Sequence, residues 1–163
     1  MGYPENATVP LNLDASYTYN NEGKITSMTY PTTTISGAGL TYNYSYDSMY
    51  RLSGMTDASN NALVNNVTYA PSNQLLSMNY RTSSYNSFTD ETRAYNTQFQ
   101  LTSLTSGSLS ATYNYPAGTN NGKISSSVIN GETVTYQYDS LNRMIQATSS
   151  AGWGEAFPGL DWP

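Results

Sequence analysis

Apolar and polar residues alternate along this chain with a period of two, and tyrosine carries most of the alternation. Tyr stands at i and i+2 in Tyr17/Tyr19, Tyr44/Tyr46, Tyr113/Tyr115 and Tyr136/Tyr138. An extended strand puts both members of such a pair on one face. Asp or Asn follows the anchor tyrosine at Asn20, Asp47, Asn96 and Asp139; these side chains bond the backbone ahead and start turns. The next residues, such as Asn21-Glu22-Gly23 and Ser140-Leu141-Asn142, include types that tolerate positive φ. A basic-aliphatic pair then opens a return strand, so the pattern predicts one β-hairpin per unit.

The unit recurs. With the anchor tyrosine as origin, a basic residue at +5 and an aliphatic one at +6 follow Tyr19 (Lys24-Ile25), Tyr46 (Arg51-Leu52) and Tyr138 (Arg143-Met144). Gln takes the basic position after Tyr69 (Gln74-Leu75) and Tyr95 (Gln100-Leu101). Tyr115 needs three extra residues before Lys123-Ile124, and its insertion, Pro116-Ala117-Gly118-Thr119, is turn chemistry. Second turns fall at Gly37-Ala38-Gly39, Asp57-Ala58-Ser59-Asn60-Asn61 and Asn130-Gly131. A lone hairpin is marginal in water, so the units must stack. The fold expected is all-β: tandem β-hairpin repeats forming a long twisted or spiral antiparallel sheet. Roughly twelve strands at ~4.8 Å each make it about 55 Å across. Equivalent tyrosines are expected to meet as cross-strand aromatic pairs. A further apolar residue at +9 (Met28, Met55, Met78, Leu104) has odd spacing from +6. Either both faces are partly covered or a bulge intervenes. The organisation predicted is a lead-in over 1–15, six repeats over 16–150, and a degenerate cap or truncated repeat over 151–163. In that last stretch Phe157 stands near a seventh anchor position, followed by Pro158-Gly159, and Trp153 and Trp162 are expected to cover the last strand.

Composition narrows the function. Of 163 residues, 16 are Tyr, against 3 Phe and 2 Trp, and only 10% are charged. Abundant aromatics and low charge separate this chain from disordered ones. A net charge of −5 with six scattered basic residues argues against nucleic acid, which needs clustered Lys and Arg, and against an acidic membrane surface. Cysteine is absent, so disulfides and zinc-thiolate sites are excluded. No apolar run approaches the ~18 residues of a membrane span, and the first residues carry no signal-peptide pattern.

At the repeat positions the sequence resembles the YD-repeat family, also called RHS repeats, whose hallmark is Tyr-x-Tyr-Asp-x-x-Gly-Arg-Leu. Residues 136–144 match with Asn142 at the Gly position, residues 44–52 match with Tyr50 there, and residues 17–25 keep Gly23. The resemblance covers about residues 16–150. It implies hairpins winding into a spiral sheet, often a hollow shell. In bacterial polymorphic and insecticidal toxins that shell encloses a toxic C-terminal segment, and in teneurins a related barrel supports cell-surface recognition. Some repeats have been linked to carbohydrate binding. Six repeats are fewer than such shells use, which fits a fragment or short member. The implied location is secreted or cell surface, in bacteria.

Candidate chemistry is sparse. Without histidine there is no Ser-His-Asp triad and no imidazole ligand. Carboxylates stand at Asp14, Asp47, Asp57, Asp90, Glu91, Glu132 and Asp139. A two-carboxylate hydrolase is formally available, but Asx turns account for Asp47 and Asp139. No alternating calcium loop is present. The reading is therefore non-enzymatic, with no cofactor, no metal and no catalytic residue. Tyr44 and Tyr113 are the candidates for stacking on a sugar; the regular spacing of the tyrosines favours a packing surface instead. Lys24, Arg51, Lys123 and Arg143 read as ladder charges or edge protection. Three Asn-x-Ser/Thr sequons, at Asn6, Asn43 and Asn66, matter only on a eukaryotic secretory route. Expected partners are further copies of the chain, joined edge to edge as an oligomer or filament, or flanking parts of a longer RHS-type protein, with glycans as the alternative.

Overall fold

The computed structural model describes residues 14–31, 39–82 and 87–156. Most of the lead-in, Gly37-Ala38, Phe157, Pro158-Gly159, Trp162 and the Asn6 sequon lie outside them. The described residues hold thirteen strands and no helix: β1 (Ser16–Tyr19), β2 (Ile25–Thr29), β3 (Thr41–Tyr46), β4 (Leu52–Asp57), β5 (Ala62–Tyr69), β6 (Leu75–Arg81), β7 (Phe88–Tyr95), β8 (Leu101–Ser106), β9 (Leu109–Asn114), β10 (Ser126–Ile129), β11 (Glu132–Tyr138), β12 (Met144–Ser149) and β13 (Gly154–Ala156). Strand order in the sheet follows chain order. The pairings with a described register are all antiparallel, so the all-β, hairpin-built sheet is what the chain forms.

Two compact units divide the described residues: 14–67 with 80–82 and 87, and 68–79 with 88–156. In the first, β1 to β4 build two repeat hairpins. In the second, β7/β8 and β11/β12 repeat the same construction, and β9, β10 and β13 complete the run.

Four repeat hairpins, β1/β2, β3/β4, β7/β8 and β11/β12, have a bulge at the same place. Tyr46 pairs with Leu52, yet Ser45 pairs with Gly54, leaving Ser53 over. Thr26, Thr102 and Ile145 are left over in the same way beside Tyr19, Tyr95 and Tyr138. The extra residue turns the odd +6/+9 spacing even. Leu52 thus faces Tyr46 and Met55 faces Tyr44, all on one side of the sheet. Ile25 and Met28 face Tyr19 and Tyr17 likewise. Of the two possibilities left open by the sequence, the bulge is the one realised.

The opposite face is polar. Hydroxyls meet across strands at Thr18/Ser27 (2.7 Å), Thr29/Thr41 (2.8 Å) and Thr92/Thr105 (2.6 Å). Neither face is deeply covered. The one buried hydrophobic side chain among the described residues is Ala111, with Glu91, Ser127 and Ser149 as buried polar ones. Tyr17, Tyr19, Leu40 and Tyr30 remain exposed on the tyrosine side.

Candidate functional surface

Three features could bear function: the turns, the tyrosines and the clefts on the tyrosine face.

The turns share one design. Asp47 accepts backbone N–H bonds from Met49 and Arg51 through Oδ1, both at 2.9 Å. Its own N–H and carbonyl close the loop on Arg51 and Tyr50. Asn20, Asn96 and Asp139 repeat this with the residues two and four ahead. Asp57 does the same with Ser59 and Asn61, so this second turn is chemically a copy of the repeat turn, although no anchor tyrosine precedes it. The +5 side chain then folds back onto the turn acid. Arg51 Nε and Arg143 Nε reach Asp47 and Asp139 at 2.8 and 2.6 Å. Gln100 meets Asn96 at 2.7 Å. These arginines close turns, where the sequence suggested a ladder of charges. Lys123 lies 4.8 Å above the Tyr138 ring and bonds Asn142, and Lys24 is exposed.

Electrostatics follow from that geometry. The backbone N–H of Arg51 is the main cause holding the Asp47 carboxyl below its ordinary value, and the backbone N–H of Arg143 does the same at Asp139. At Asp57 the hydrogen bond from the Asn61 side chain is the main cause lowering the carboxyl, with Arg81 3.9 Å away. Glu91 is held by Arg93 at 2.5 Å, and Asp90 bonds Asn79. Among the described residues no group of three or more acidic, histidine or cysteine side chains gathers to hold a metal.

The anchor tyrosines join one hairpin to the hairpin before it. The Tyr46 hydroxyl donates to the carbonyl of Ile25, the +6 residue of the preceding repeat, at 2.8 Å. Tyr95 donates to Leu75, Tyr115 to Leu101 and Tyr138 to Ile124, each at 3.1 Å. The hydroxyl's destination is thus a neighbouring backbone, where aromatic pairing had been expected. An edge-to-face pair does form between Tyr30 and Tyr42 (5.8 Å, 88°), neither of them an anchor.

In the first unit, Tyr30, Leu40, Tyr42, Tyr44, Met55, Val64, Tyr80 and Arg81 are among the residues lining an open groove of about 560 Å³. The Tyr44 hydroxyl lies 4.0 Å from Met28 sulfur. Burial, and then the neighbouring Tyr30, raise its ionisation above the usual phenol range. In the second unit, Tyr113 sits on β9 opposite Ser127 and lines neither of the clefts described there. The two sugar-stacking candidates therefore belong to different units. One of those clefts, about 310 Å³, lies over Lys123, Tyr138, Asn142 and the insertion loop. The other, about 490 Å³, lies between β10, β11 and Trp153. Sequence reasoning missed Glu132 and Trp153 as neighbours, because 21 residues separate them and no motif links them.

No protein-family profile matches the chain, and no curated protein matches it. Solved structures do. A structure of the Photorhabdus luminescens Tc holotoxin pore carrying the TccC3-D651A mutation has a chain 19% identical over 82% of this one, with TM-score 0.65. The crystal structure of TcdB2-TccC3 without its hypervariable C-terminal region has one 18% identical over 82%, with TM-score 0.66. This chain spans 7% of the length of each. The likeness is one of fold.

Proposed function

We propose that this chain is a non-catalytic scaffold: a run of YD-type hairpin repeats that serves as part of the wall of a larger toxin-type protein, secreted or at the cell surface. The organisation that goes with it is lead-in 1–15, repeats 16–150 and terminal unit 151–163. The observation that carries the reading is the tyrosine hydrogen bond from each of four anchors to the preceding repeat. It is a device for extending a sheet by repetition. Two arginines of the repeats, Arg51 and Arg143, are likewise committed to closing turns with Asp47 and Asp139. The structural likeness to chains of Tc toxin assemblies supports a toxin-associated setting. Among the described residues no helix is long and apolar enough to cross a membrane.

In strand order β1 and β13 are outermost among the described strands, and a strand edge without a partner pairs readily with other strands. Flanking repeats of a longer protein, or further copies of this chain, are the occupants that fit. Negative-stain microscopy of the purified chain tests the self-pairing: edge-joined oligomers or filaments that lengthen with concentration are expected. Compact monomers at every concentration would remove self-assembly from the account.

The groove around Tyr42 and Tyr44 favours a second reading, a surface that binds a glycan or a protein. A glycan array without hits, and no change with Tyr44→Ala or Tyr113→Ala, would count against it.

A further inference from the structure

We propose that the cleft between β10, β11 and Trp153 binds an organic ammonium ion, with methylated ammonium groups preferred. The cleft holds about 490 Å³ and is lined by Ser127, Ile129, Asn130, Glu132, Val134, Tyr136 and Trp153, none of them cationic. Its walls are two aromatic rings and two aliphatic side chains, and its one charge is a carboxylate.

Both rings are fixed at their polar ends. The Trp153 indole N–H donates to Glu132 Oε1 at 2.8 Å. Tyr136 hydroxyl and the buried Ser127 hydroxyl share a bond of 2.9 Å. The Ser149 hydroxyl also bonds Glu132 Oε1. Glu132 therefore takes neutral donors only. By contrast, Asp47, Asp57, Glu91 and Asp139 each face an arginine. A carboxylate in a cleft of aromatic and aliphatic walls, with no cation of the protein's own beside it, has the chemistry that attracts a weakly hydrated cation. Ring faces attract such ions electrostatically, and the carboxylate adds its charge. Methylated ammonium groups fit apolar walls better than a bare ammonium, which would lose its water without donors' partners to replace it.

Titration of the full chain with choline chloride at constant ionic strength tests this. The readout is the indole N–H resonance of Trp153, assigned by its loss in Trp153→Phe. Saturable binding is expected. Glu132→Gln keeps an oxygen for Trp153 and Ser149 but removes the charge, and is expected to weaken binding about tenfold, as is Tyr136→Leu, which leaves the charge and removes one ring. The neutral isostere 3,3-dimethylbutan-1-ol should bind about tenfold more weakly than choline. Phosphatidylcholine vesicles in a parallel flotation arm separate the sources of the group. Flotation of the unmodified chain but not of Glu132→Gln assigns a lipid headgroup, and choline binding without flotation assigns a soluble ligand. No binding of choline to the natively folded chain would overturn the proposal. So would equal binding of the neutral alcohol, or unchanged binding in a folded Glu132→Gln variant.

Discussion

The residue just before the basic or Gln position takes a left-handed conformation in all six repeats: Gly23 (φ 75°), Tyr50 (57°), Asn73 (71°), Phe99 (63°), Gly122 (93°) and Asn142 (67°). Gly and Asn accept this at little cost, whereas a bulky side chain strains it by roughly 1–2 kcal/mol. Tyr50 and Phe99 are 51% and 61% exposed, so little packing offsets the strain. Tyr50→Gly and Phe99→Gly should each raise stability by about 1 kcal/mol in urea denaturation. Ala70 marks the converse defect. It keeps the backbone bonds of the turn, from Ala70 N–H to Gln74 and from Asn73 N–H to Ala70, but lacks the carboxyl or amide found at Asp47 and Asn96. Ala70→Asp should stabilise by about 1 kcal/mol in the same assay. The turn acids also set an acid limit. Asp47, Asp57 and Asp139 have lowered values in the folded chain. Their contribution is complete above the unfolded aspartate value, near 4, and is lost as pH falls below it through the folded values. Thermal melts should be flat from pH 7 to about 5 and drop below about pH 4. The Asx start of the turns at Asn20, Asp47, Asn96 and Asp139 was legible because Asp and Asn announce it. Tyr50 and Phe99 were not, since bulky aromatics carry no turn signal and adopt the conformation only because the neighbouring bonds impose it.

At the scale of the element, the repeat is a hairpin with a fixed bulge and a hydroxyl reaching back to the hairpin before it. Tyr46→Phe and Tyr138→Phe keep the ring but remove the donor to Ile25 and Ile124, and should each cost about 1 kcal/mol. Tyr113→Phe is the control. Its hydroxyl has no hydrogen-bond partner described, and the change should be near neutral. Gly54 shows how tightly the bulge packs. A Cβ there would lie 2.8 Å from Ser45 Oγ and 3.1 Å from the Val64 carbonyl, so Gly54→Ala should destabilise by roughly 1–3 kcal/mol, read from the melting temperature. The period of two told which face the tyrosines share. It said nothing of which neighbouring atom the hydroxyl reaches, because that depends on the registry between hairpins, which no local pattern encodes. The +6/+9 oddity did carry the bulge, but only as one of two explanations, and only the register at Ser45/Tyr46 decides it.

For the molecule as a whole, Ala111 is the one buried hydrophobic side chain among the described residues. Large hydrophobics stay at the surface, among them Leu40 at 67% and Leu141 at 71% exposed. Exposed apolar surface and open strand edges together favour association. The hairpin-built antiparallel sheet was legible in outline, since the repeated tyrosine-turn pattern predicted it. The clefts were not legible, because they join residues from separate repeats. Sedimentation velocity across a wide concentration range tests the claim of an open scaffold most directly, with Ser16→Lys/Thr18→Lys as the variant that charges the β1 edge. The account predicts that the mass of the unmodified chain climbs above 17.8 kDa with concentration, while the charged-edge variant lags behind. A single monomeric species for both, folded at every concentration, would contradict pairing between copies through the sheet edges.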